Sequence, residues 1–351
     1  MAVTLKDIAE SMGLTATTVH RALYGKKGVS EETRRSVQQA AAAMGYRPNY
    51  LASSLKRKEN LRFAVAMPDT AGDNRYYYGS LWKGVRSFLQ EVEAYEVTPV
   101  EIAYPLEPGA NGEALSRICG QESGRVCGVL TLADRSGQSA KYLEELAARR
   151  IPVAFVGADN PEAERLCCVR ACDEMAGSLA AELLTSLGPC PRKVILTGQY
   201  GPQGMRDQAY NAGGFLDFMK MWAPSTQVIE IEGGDTVRIR GQIGAVLRRE
   251  PEVSAIYSCS ARHTVCVAQA VQDLGMEKRL RLIGNDCFEE SLDYLRAGVL
   301  SAIIDKKIAR QSYTAMKILF DCAVKAEYPS TQNVLIPPEI VLRSNAGMPG
   351  R

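Results

Sequence analysis

The length and composition of the chain indicate a multidomain globular protein. Its 351 residues exceed what one hydrophobic core usually supports, and 46% of them are hydrophobic. The sequence has no run of 18 apolar residues, and it begins MAVTLKDIAESMG, with acidic residues where a secretory signal would be apolar. Neither a membrane span nor a secretory signal is predicted, and we expect a cytoplasmic protein that does not contact a membrane.

The net charge of +2 is distributed unevenly along the chain. Residues 1–60 contain ten Lys or Arg and five Asp or Glu, whereas the remaining 291 residues contain 32 and 35. A basic segment attached to a slightly acidic protein is the charge pattern of a nucleic-acid-binding module tethered to a second functional domain.

The hydrophobic pattern of this basic segment predicts three short helices around a small core. Each helix has a Ser or Thr cap and is followed by a glycine: the first spans 4–12 with Thr4 as its cap, the second spans 16–24 after the cap Thr15, and the third runs from the cap Ser30 to residue 44. Two short helices joined by a tight turn form a helix-turn-helix, in which the first residues of the second helix meet base edges in the major groove.

The same segment closely resembles the DNA-binding segment of the LacI family. The resemblance is carried by TLKDIAESMGLTATTVHRALYGKKGVSEETRRSVQQAAAAMGYRPNYLASSLKRKEN, which matches the three helices, their spacing, the GYRPN junction and the hinge that follows. It implies a helix-turn-helix domain at residues 1–48 and a hinge helix and linker at 49–60. Base contacts are implied for Thr15, Ala16, Thr17 and Arg21, and backbone or neighbouring contacts for Thr4, His20 and Asn49. Arg21 is the candidate for guanine recognition.

The hinge is predicted to become helical only on DNA. Ala52 and Leu55 lie three residues apart and would share one face of a short helix, which is too short to persist alone. We expect it to fold when two copies of the chain pack together on DNA. The resemblance places Leu55 as a wedge between base pairs in the minor groove and Lys56 near phosphates. Ser53 stands where the family commonly has Arg.

Residues 61–351 alternate strand-like and helix-like runs in two successive units, a pattern that predicts parallel sheets. They resemble the type I periplasmic-binding-protein fold of the LacI family core. The resemblance implies two lobes with crossovers near 158–172, 286–300 and 320–330, a ligand held between them, and a role in dimerisation. The predicted fold class is an all-α helix-turn-helix domain followed by a two-lobed, doubly wound α/β domain with parallel sheets.

Loops at the carboxyl ends of parallel strands are where ligands bind in such folds, so the effector residues are sought there. The candidates are carboxylates, aromatic residues and cations: Asp69, Tyr76, Tyr77, Asp134, Asp159, Asp173, Arg206, Asp286 and Lys306. This set suits a sugar-like or polyol molecule, because the polar groups match hydroxyls and rings cover apolar faces. Lys306 stands where the family often has glutamine, and a cation there favours a sugar acid.

Three functions are compatible with these patterns. The favoured one is a repressor that binds double-stranded operator DNA as a homodimer and whose affinity is controlled by the small effector. An α/β enzyme acting on a sugar or nucleoside is the alternative, although the chain has no P-loop, G-x-S-x-G or G-x-G-x-x-G motif. A transport binding protein is disfavoured by the basic N-terminal module.

The ten cysteines and two histidines do not form a ligand motif. No C-x-x-C pair occurs, and the two histidines lie in different regions, so neither a metal site nor a cofactor is predicted. We expect buried free thiols. Reactivity of the adjacent pair Cys167 and Cys168, or of Cys172, is a minor alternative that requires a lowered thiol pKa.

Overall fold

The computed structural model describes residues 5–23, 28–44, 61–122, 126–134, 137–198, 207–233 and 235–347. The chain divides into two compact units, Met1–Glu59 and Asn60–Arg351.

The first unit contains three helices, α1 (Leu5–Met12), α2 (Ala16–Leu23) and α3 (Glu31–Ala43). Two of the three predicted caps are present: Thr15 Oγ1 accepts a hydrogen bond from the Thr18 amide at 3.1 Å, and Ser30 Oγ accepts one from the Thr33 amide at 3.2 Å. The third, Thr4, lies outside the described residues. The helices bury a small apolar core, made by Ile8, Ala9, Val19, Ala22, Val37 and Ala41.

The second unit contains two six-stranded sheets. The first lobe has strand order β11-β5-β4-β3-β1-β2, and every adjacent pair is parallel. Its strands are β1 (Arg62–Pro68), β2 (Thr98–Tyr104), β3 (Gly128–Thr131), β4 (Val153–Val156), β5 (Cys167–Ala171) and β11 (Asn333–Ile336).

The second lobe has strand order β12-β10-β9-β8-β6-β7. It is parallel except for the edge strand β12, which pairs antiparallel with β10. Its strands are β6 (Lys193–Gly198), β7 (Gln227–Glu232), β8 (Val253–Ser258), β9 (Arg281–Asn285), β10 (Ala302–Asp305) and β12 (Glu339–Val341).

Helices cover both sheets. Those of the first lobe are α4 (Tyr78–Glu91), α5 (Ala110–Arg117) and α6 (Ala140–Ala148), and a 3-10 helix, Gly72–Tyr76, precedes α4. Those of the second lobe are α7 (Asp173–Ser186), α8 (Asp207–Trp222), α9 (Thr236–Arg249), α10 (Ala261–Asp273) and α11 (Glu289–Ala297). The last helix, α12 (Ile308–Lys325), returns to the first lobe and packs against α4.

Helices α7 and α8 cross at very short distance. A Cβ at Gly177 would lie 1.9 Å from the carbonyl oxygen of Asn211, so only glycine fits between the two backbones. This close approach buries an apolar layer against the second sheet, which includes Ala180, Leu184 and Phe215.

The chain crosses between the lobes at Cys172, between Asp305 and Ile308, and between Ile336 and Glu339. The prediction of crossovers at 286–300 and 320–330 was therefore wrong for these two passages. Residues 286–300 contain α11 and stay in the second lobe, and residues 320–330 contain the end of α12 and stay in the first. The last passage consists of Pro337 and Pro338, which leaves almost no connecting loop.

Candidate functional site

The N-terminal half of α2 presents polar side chains on an open face of its unit. Thr15, Ala16, Thr17 and Arg21 are exposed and His20 is half-buried, whereas Val19 is fully buried in the three-helix core. Thr15 also forms a hydroxyl–hydroxyl contact of 2.9 Å with Thr18. Five other predicted DNA contacts, Thr4, Asn49, Ala52, Leu55 and Lys56, lie outside the described residues, as does the predicted effector residue Arg206.

In the second unit, the carboxyl edges of the two sheets face each other. The segment that follows β1, Gly72–Tyr76, contacts the starts of α9, α10 and α11, and these helices follow strands of the second lobe. We call the space between the two edges the cleft.

A buried cluster of two carboxylates and one lysine lies at the second-lobe side of the cleft. Asp173 begins α7, Asp286 follows β9 and Lys306 follows β10. The Nζ of Lys306 lies 3.8 Å from Asp173 Oδ1 and 3.7 Å from Asp286 Oδ2. The three residues are only 7%, 1% and 6% exposed. Three chain segments thus converge to form one buried, charged cluster. We call it the Asp–Lys–Asp cluster.

The electrostatics of this cluster follow from its burial. Burial raises the pKa of Asp286 to about 6, although the Lys306 ammonium opposes the shift. Burial alone would lower the pKa of Lys306, but the two carboxylates outweigh it and raise that pKa. Lys306 is therefore already compensated by carboxylates, and its charge no longer supports the expectation of an anionic sugar acid.

Backbone contacts hold Asp286 in an uncommon conformation. Its φ is +67°, a left-handed value that few residues other than glycine adopt. Its amide donates to the Ile304 carbonyl at 2.9 Å, and its Oδ1 accepts from the Lys306 amide at 3.3 Å. The strain is thus balanced by hydrogen bonds that aim the second carboxylate oxygen at Lys306.

Buried polar atoms around the cluster were not anticipated from the sequence. Asn285 and Gln311 are 0% and 1% exposed, and each side-chain carbonyl oxygen has no hydrogen-bond partner among the residues that the structure describes. Their amide nitrogens are used, by Tyr257 Oη at 2.9 Å and by the Lys306 carbonyl at 2.9 Å. Unpaired buried acceptors call for a donor from water or ligand. The only sequence signal was an Asn at the end of the apolar run LRLIGN.

Three first-lobe carboxylates predicted to meet the effector are used by their own loops. Asp69 Oδ1 accepts from the Ala71 amide at 3.0 Å, and Asp134 Oδ2 accepts from the Ser139 hydroxyl at 2.6 Å. Asp159 forms a buried ion pair with Arg165, with both nitrogen–oxygen distances at 2.7 Å. Arg165 was not singled out from the sequence, because its position before β5 gave no sign of an acidic partner.

The two predicted aromatic residues have different environments. Tyr76 is 6% exposed, and its ring centroid lies 4.7 Å from that of Phe288 in the second lobe. The Tyr77 hydroxyl approaches Gly157 after β4, where a Cβ would lie 2.5 Å from it. Tyr76 is therefore covered by a lobe–lobe contact, whereas the prediction placed it against the effector.

Polar contacts from the same segment reinforce this connection. Arg262 Nη2 donates to Asn74 Oδ1 at 2.9 Å, and Thr236 Oγ1 donates to Asp73 Oδ2 at 3.1 Å. Arg75 lies 3.3 Å from Glu290. We call Gly72–Tyr76 the bridging segment, because four of its side chains contact the opposite lobe.

The cysteines of the described region are free thiols. Cys167 and Cys168 are fully buried, and burial raises the pKa of Cys167 to about 12 and that of Cys168 still further. A reactive pair at these positions is therefore contradicted, since reactivity requires a lowered pKa. Within the described residues, no group of three potential ligands could hold a metal ion, and no helix could span a membrane.

Comparison with known families matches two parts of the chain. Residues 4–49 match the family of bacterial regulatory proteins named lacI, and residues 124–327, more than half of the chain, match a periplasmic binding protein domain. These matches confirm the predicted fold class, a helix-turn-helix followed by a two-lobed α/β domain.

Two curated proteins similar to this chain are regulators by name. The chain is 28% identical over 189 residues to the HTH-type transcriptional regulator DegA of Bacillus subtilis (strain 168), a match that covers 54% of this chain and only about half, 53%, of DegA. It is 22% identical over 290 residues to the ribose operon repressor of Lactococcus lactis subsp. lactis (strain IL1403), with 82% of each chain covered. These relatives are regulators, and the enzyme alternative is not supported.

Solved structures agree on the fold of the second unit. GanP, a glucose-galactose binding protein from Geobacillus stearothermophilus, superposes with a TM-score of 0.70 at 20% identity, covering 83% of this chain and 100% of GanP.

Proposed function

This chain belongs to the LacI family of bacterial regulatory proteins, with a periplasmic binding protein domain after its helix-turn-helix, and from that premise we propose that it is a transcriptional repressor controlled by a sugar-like effector. The exposed polar face of α2 carries this proposal, because it is held rigidly by a buried core and is open to the major groove. The protein acts on operator DNA in the cytoplasm.

DNA recognition requires two copies of the chain. A homodimer places two α2 helices on the half-sites of a near-palindromic operator. Arg21 reads guanine, with Thr15, Ala16 and Thr17 at neighbouring base edges. Leu55 enters the minor groove between the half-sites, flanked by Ala52 and Lys56, while Thr4, His20 and Asn49 contact the DNA backbone or lie next to residues that do.

The effector binds in the cleft at the Asp–Lys–Asp cluster. Two carboxylates and the unpaired carbonyl oxygens of Asn285 and Gln311 make this wall rich in acceptors, which suits a ligand that donates several hydroxyl hydrogens. A neutral sugar or polyol fits this chemistry better than a sugar acid. Two similar proteins, the ribose operon repressor and the glucose-galactose binding protein, are named for sugars, which supports a sugar as the class of effector.

Coupling between effector and DNA passes through the relative position of the lobes. The bridging segment connects them in the present arrangement, so a ligand that favours this arrangement over an open one shifts the balance between the two. That balance sets how the two hinges pair, and hence the affinity for the operator.

Fluorescence anisotropy with genomic fragments tests the DNA part of the proposal. Saturable binding that weakens steeply with salt is expected, together with a loss of about 10- to 150-fold in Arg21→Ala, the range of one bidentate guanine contact. Arg117→Ala, which removes an exposed arginine of the other unit, is the matched control. Absence of any salt-dependent, fragment-specific binding would exclude the repressor function.

Thermal-shift screening of sugars and polyols tests the effector part. A ligand that binds the native state raises the melting temperature. The shift should disappear in Asp286→Asn, and it should persist in Asp134→Asn, whose carboxylate serves its own loop. A shift that is equal in both variants would place the ligand outside the Asp–Lys–Asp cluster.

A further inference from the structure

A cavity of about 480 Å³ lies far from the cleft, at the amino ends of the second-lobe strands. Arg192 precedes β6, Glu252 precedes β8 and Arg281 begins β9, and all three line it. Since these strands are five or six residues long, the cavity and the cleft are separated by about 15–20 Å of sheet. The residues that line it share no member with the predicted effector site.

The lining of this cavity is strongly basic. Arg192, Arg279 and Arg281 contribute three guanidinium groups, against the single carboxylate of Glu252. That carboxylate is itself shared between two cations, since it lies 3.2 Å from Arg192 Nη1 and 3.5 Å from the Nζ of Lys193. The cavity therefore has an excess of positive charge.

Two of the guanidinium groups are held in place by the backbone. Arg279 donates to the Pro251 carbonyl, and Arg281 donates to the Pro189 carbonyl. The Nη1 of Arg281 is buried and has no hydrogen-bond partner among the described residues. Burial also lowers the pKa of this guanidinium, although the Cys190 thiol opposes the shift. A buried cationic donor without an acceptor is unfavourable unless a ligand supplies one.

We propose that this cavity, the arginine pocket, binds a compact dianion, either a phosphomonoester or a dicarboxylate. Guanidinium forks match phosphate and carboxylate oxygens in bidentate geometry, and a volume of 480 Å³ lies in the range of small-molecule sites. Leu187 and Pro189 supply an apolar wall for the remainder of the ligand. The pocket is separate from the sugar-binding cleft, so it gives the protein a second chemical input.

The exposed thiol of Cys190 lines the pocket and reports on its occupancy. The full-length protein is alkylated with iodoacetamide, and the rate at each cysteine is followed by peptide mass spectrometry. The probes are inorganic phosphate and succinate, with chloride at equal ionic strength as the reference. We expect one or both dianions to slow alkylation of Cys190 saturably and to leave that of Cys172, which lies outside the pocket where the chain passes between the lobes, unchanged.

Variants separate the pocket from nonspecific effects. Arg279→Gln should raise the half-protecting concentration at least ~10-fold, because it removes a charge-assisted contact. Arg248→Gln, which removes an exposed arginine of the same lobe outside the pocket, should leave it unchanged. Arg281→Gln should also raise the half-protecting concentration, and its melting temperature is measured as a check on folding.

Protection by phosphate alone supports a phosphate-bearing ligand, protection by succinate alone supports a dicarboxylate, and protection by both supports a site for compact dianions in general. Protection no greater than that of chloride, or equal behaviour of Arg279→Gln and Arg248→Gln, would overturn the proposal.

Discussion

Replacing Tyr76 tests how strongly the bridging segment holds the two lobes together. The ring is 6% exposed and packs on Phe288, with Ala261 and Val265 in the same apolar cluster. A buried tyrosine covers about 150–250 Å². If about half of that area faces the opposite lobe, burial contributes roughly 2–3 kcal/mol at about 25 cal/mol per Å².

Tyr76→Ala should therefore destabilise the bridged arrangement by about 2–3 kcal/mol. On our proposal that the effector binds in the cleft between the lobes, its affinity should fall by roughly 30- to 150-fold. Small-angle scattering should show a larger radius of gyration without effector, and calorimetry with the first sugar or polyol found by thermal shift gives the affinity. Tyr76→Phe keeps the ring and loses only the hydroxyl. Its fold-loss of effector affinity should be no more than about a tenth of that of Tyr76→Ala.

Tyr95→Ala is the matched control, because Tyr95 also packs edge to face on a phenylalanine, Phe320, at 5.0 Å but within one lobe. It should lower the melting temperature and leave the affinity and the scattering profile unchanged. Equal affinities in Tyr76→Ala and Tyr95→Ala would refute the assignment of the bridging segment to lobe–lobe coupling.

Three further perturbations probe the second unit. The raised pKa of Asp286 means that the native state binds a proton more tightly than the unfolded chain, so this residue favours folding below about pH 4 and the contribution is lost as pH rises through about 6. Urea unfolding between pH 4 and 7 should show that wild type loses stability relative to Asp286→Asn over this interval, by on the order of 2–3 kcal/mol. Gly177→Ala should lower the free energy of unfolding by at least about 2 kcal/mol in the same assay, because its Cβ would collide with a backbone carbonyl. The control Gly241→Ala has open space around the added methyl and should be neutral or slightly stabilising. Asp159→Ala should cost about 3–5 kcal/mol by leaving Arg165 buried without its carboxylate, yet effector affinity should not change.

A specific outcome would contradict each of these three predictions. A pH-independent difference between wild type and Asp286→Asn would show that this carboxylate is not buried at the cluster. Equal stabilities of Gly177→Ala and Gly241→Ala would mean that α7 and α8 do not cross so closely. A loss of effector binding in Asp159→Ala at temperatures where the variant is folded would restore Asp159 to the effector site.

Local features could be predicted from the sequence, because their causes lie within a few residues. Thr15 and Ser30 cap helices as expected, since a cap needs only a hydroxyl and an amide three residues later. The alternation of strands and helices likewise predicted parallel sheets, because each run carries its own hydrophobic period.

Features that depend on partners distant along the chain could not be predicted. Tyr76 follows a strand, as an effector residue would, and nothing near it indicates that Phe288 covers its ring. The sequence presents Lys306 only as a cation that favours a sugar acid, because its partners Asp173 and Asp286 approach it only after three segments fold together. The prediction of the two later crossovers was wrong for the same reason, because the sequence of a helix such as α12 does not indicate which sheet the helix covers.

Helix α12 has a consequence for how the protein is synthesised and unfolds. It supplies Ile308, Ala315, Met316, Leu319 and Phe320 to the core of the first lobe, and β11 pairs with β5 after the second lobe has already been translated. The first lobe therefore cannot complete its core on the ribosome until residues 308–336 have emerged. Its apolar surface stays exposed during that interval. The first lobe is therefore not an autonomous folding module, and its contacts of high sequence separation should form late and slowly.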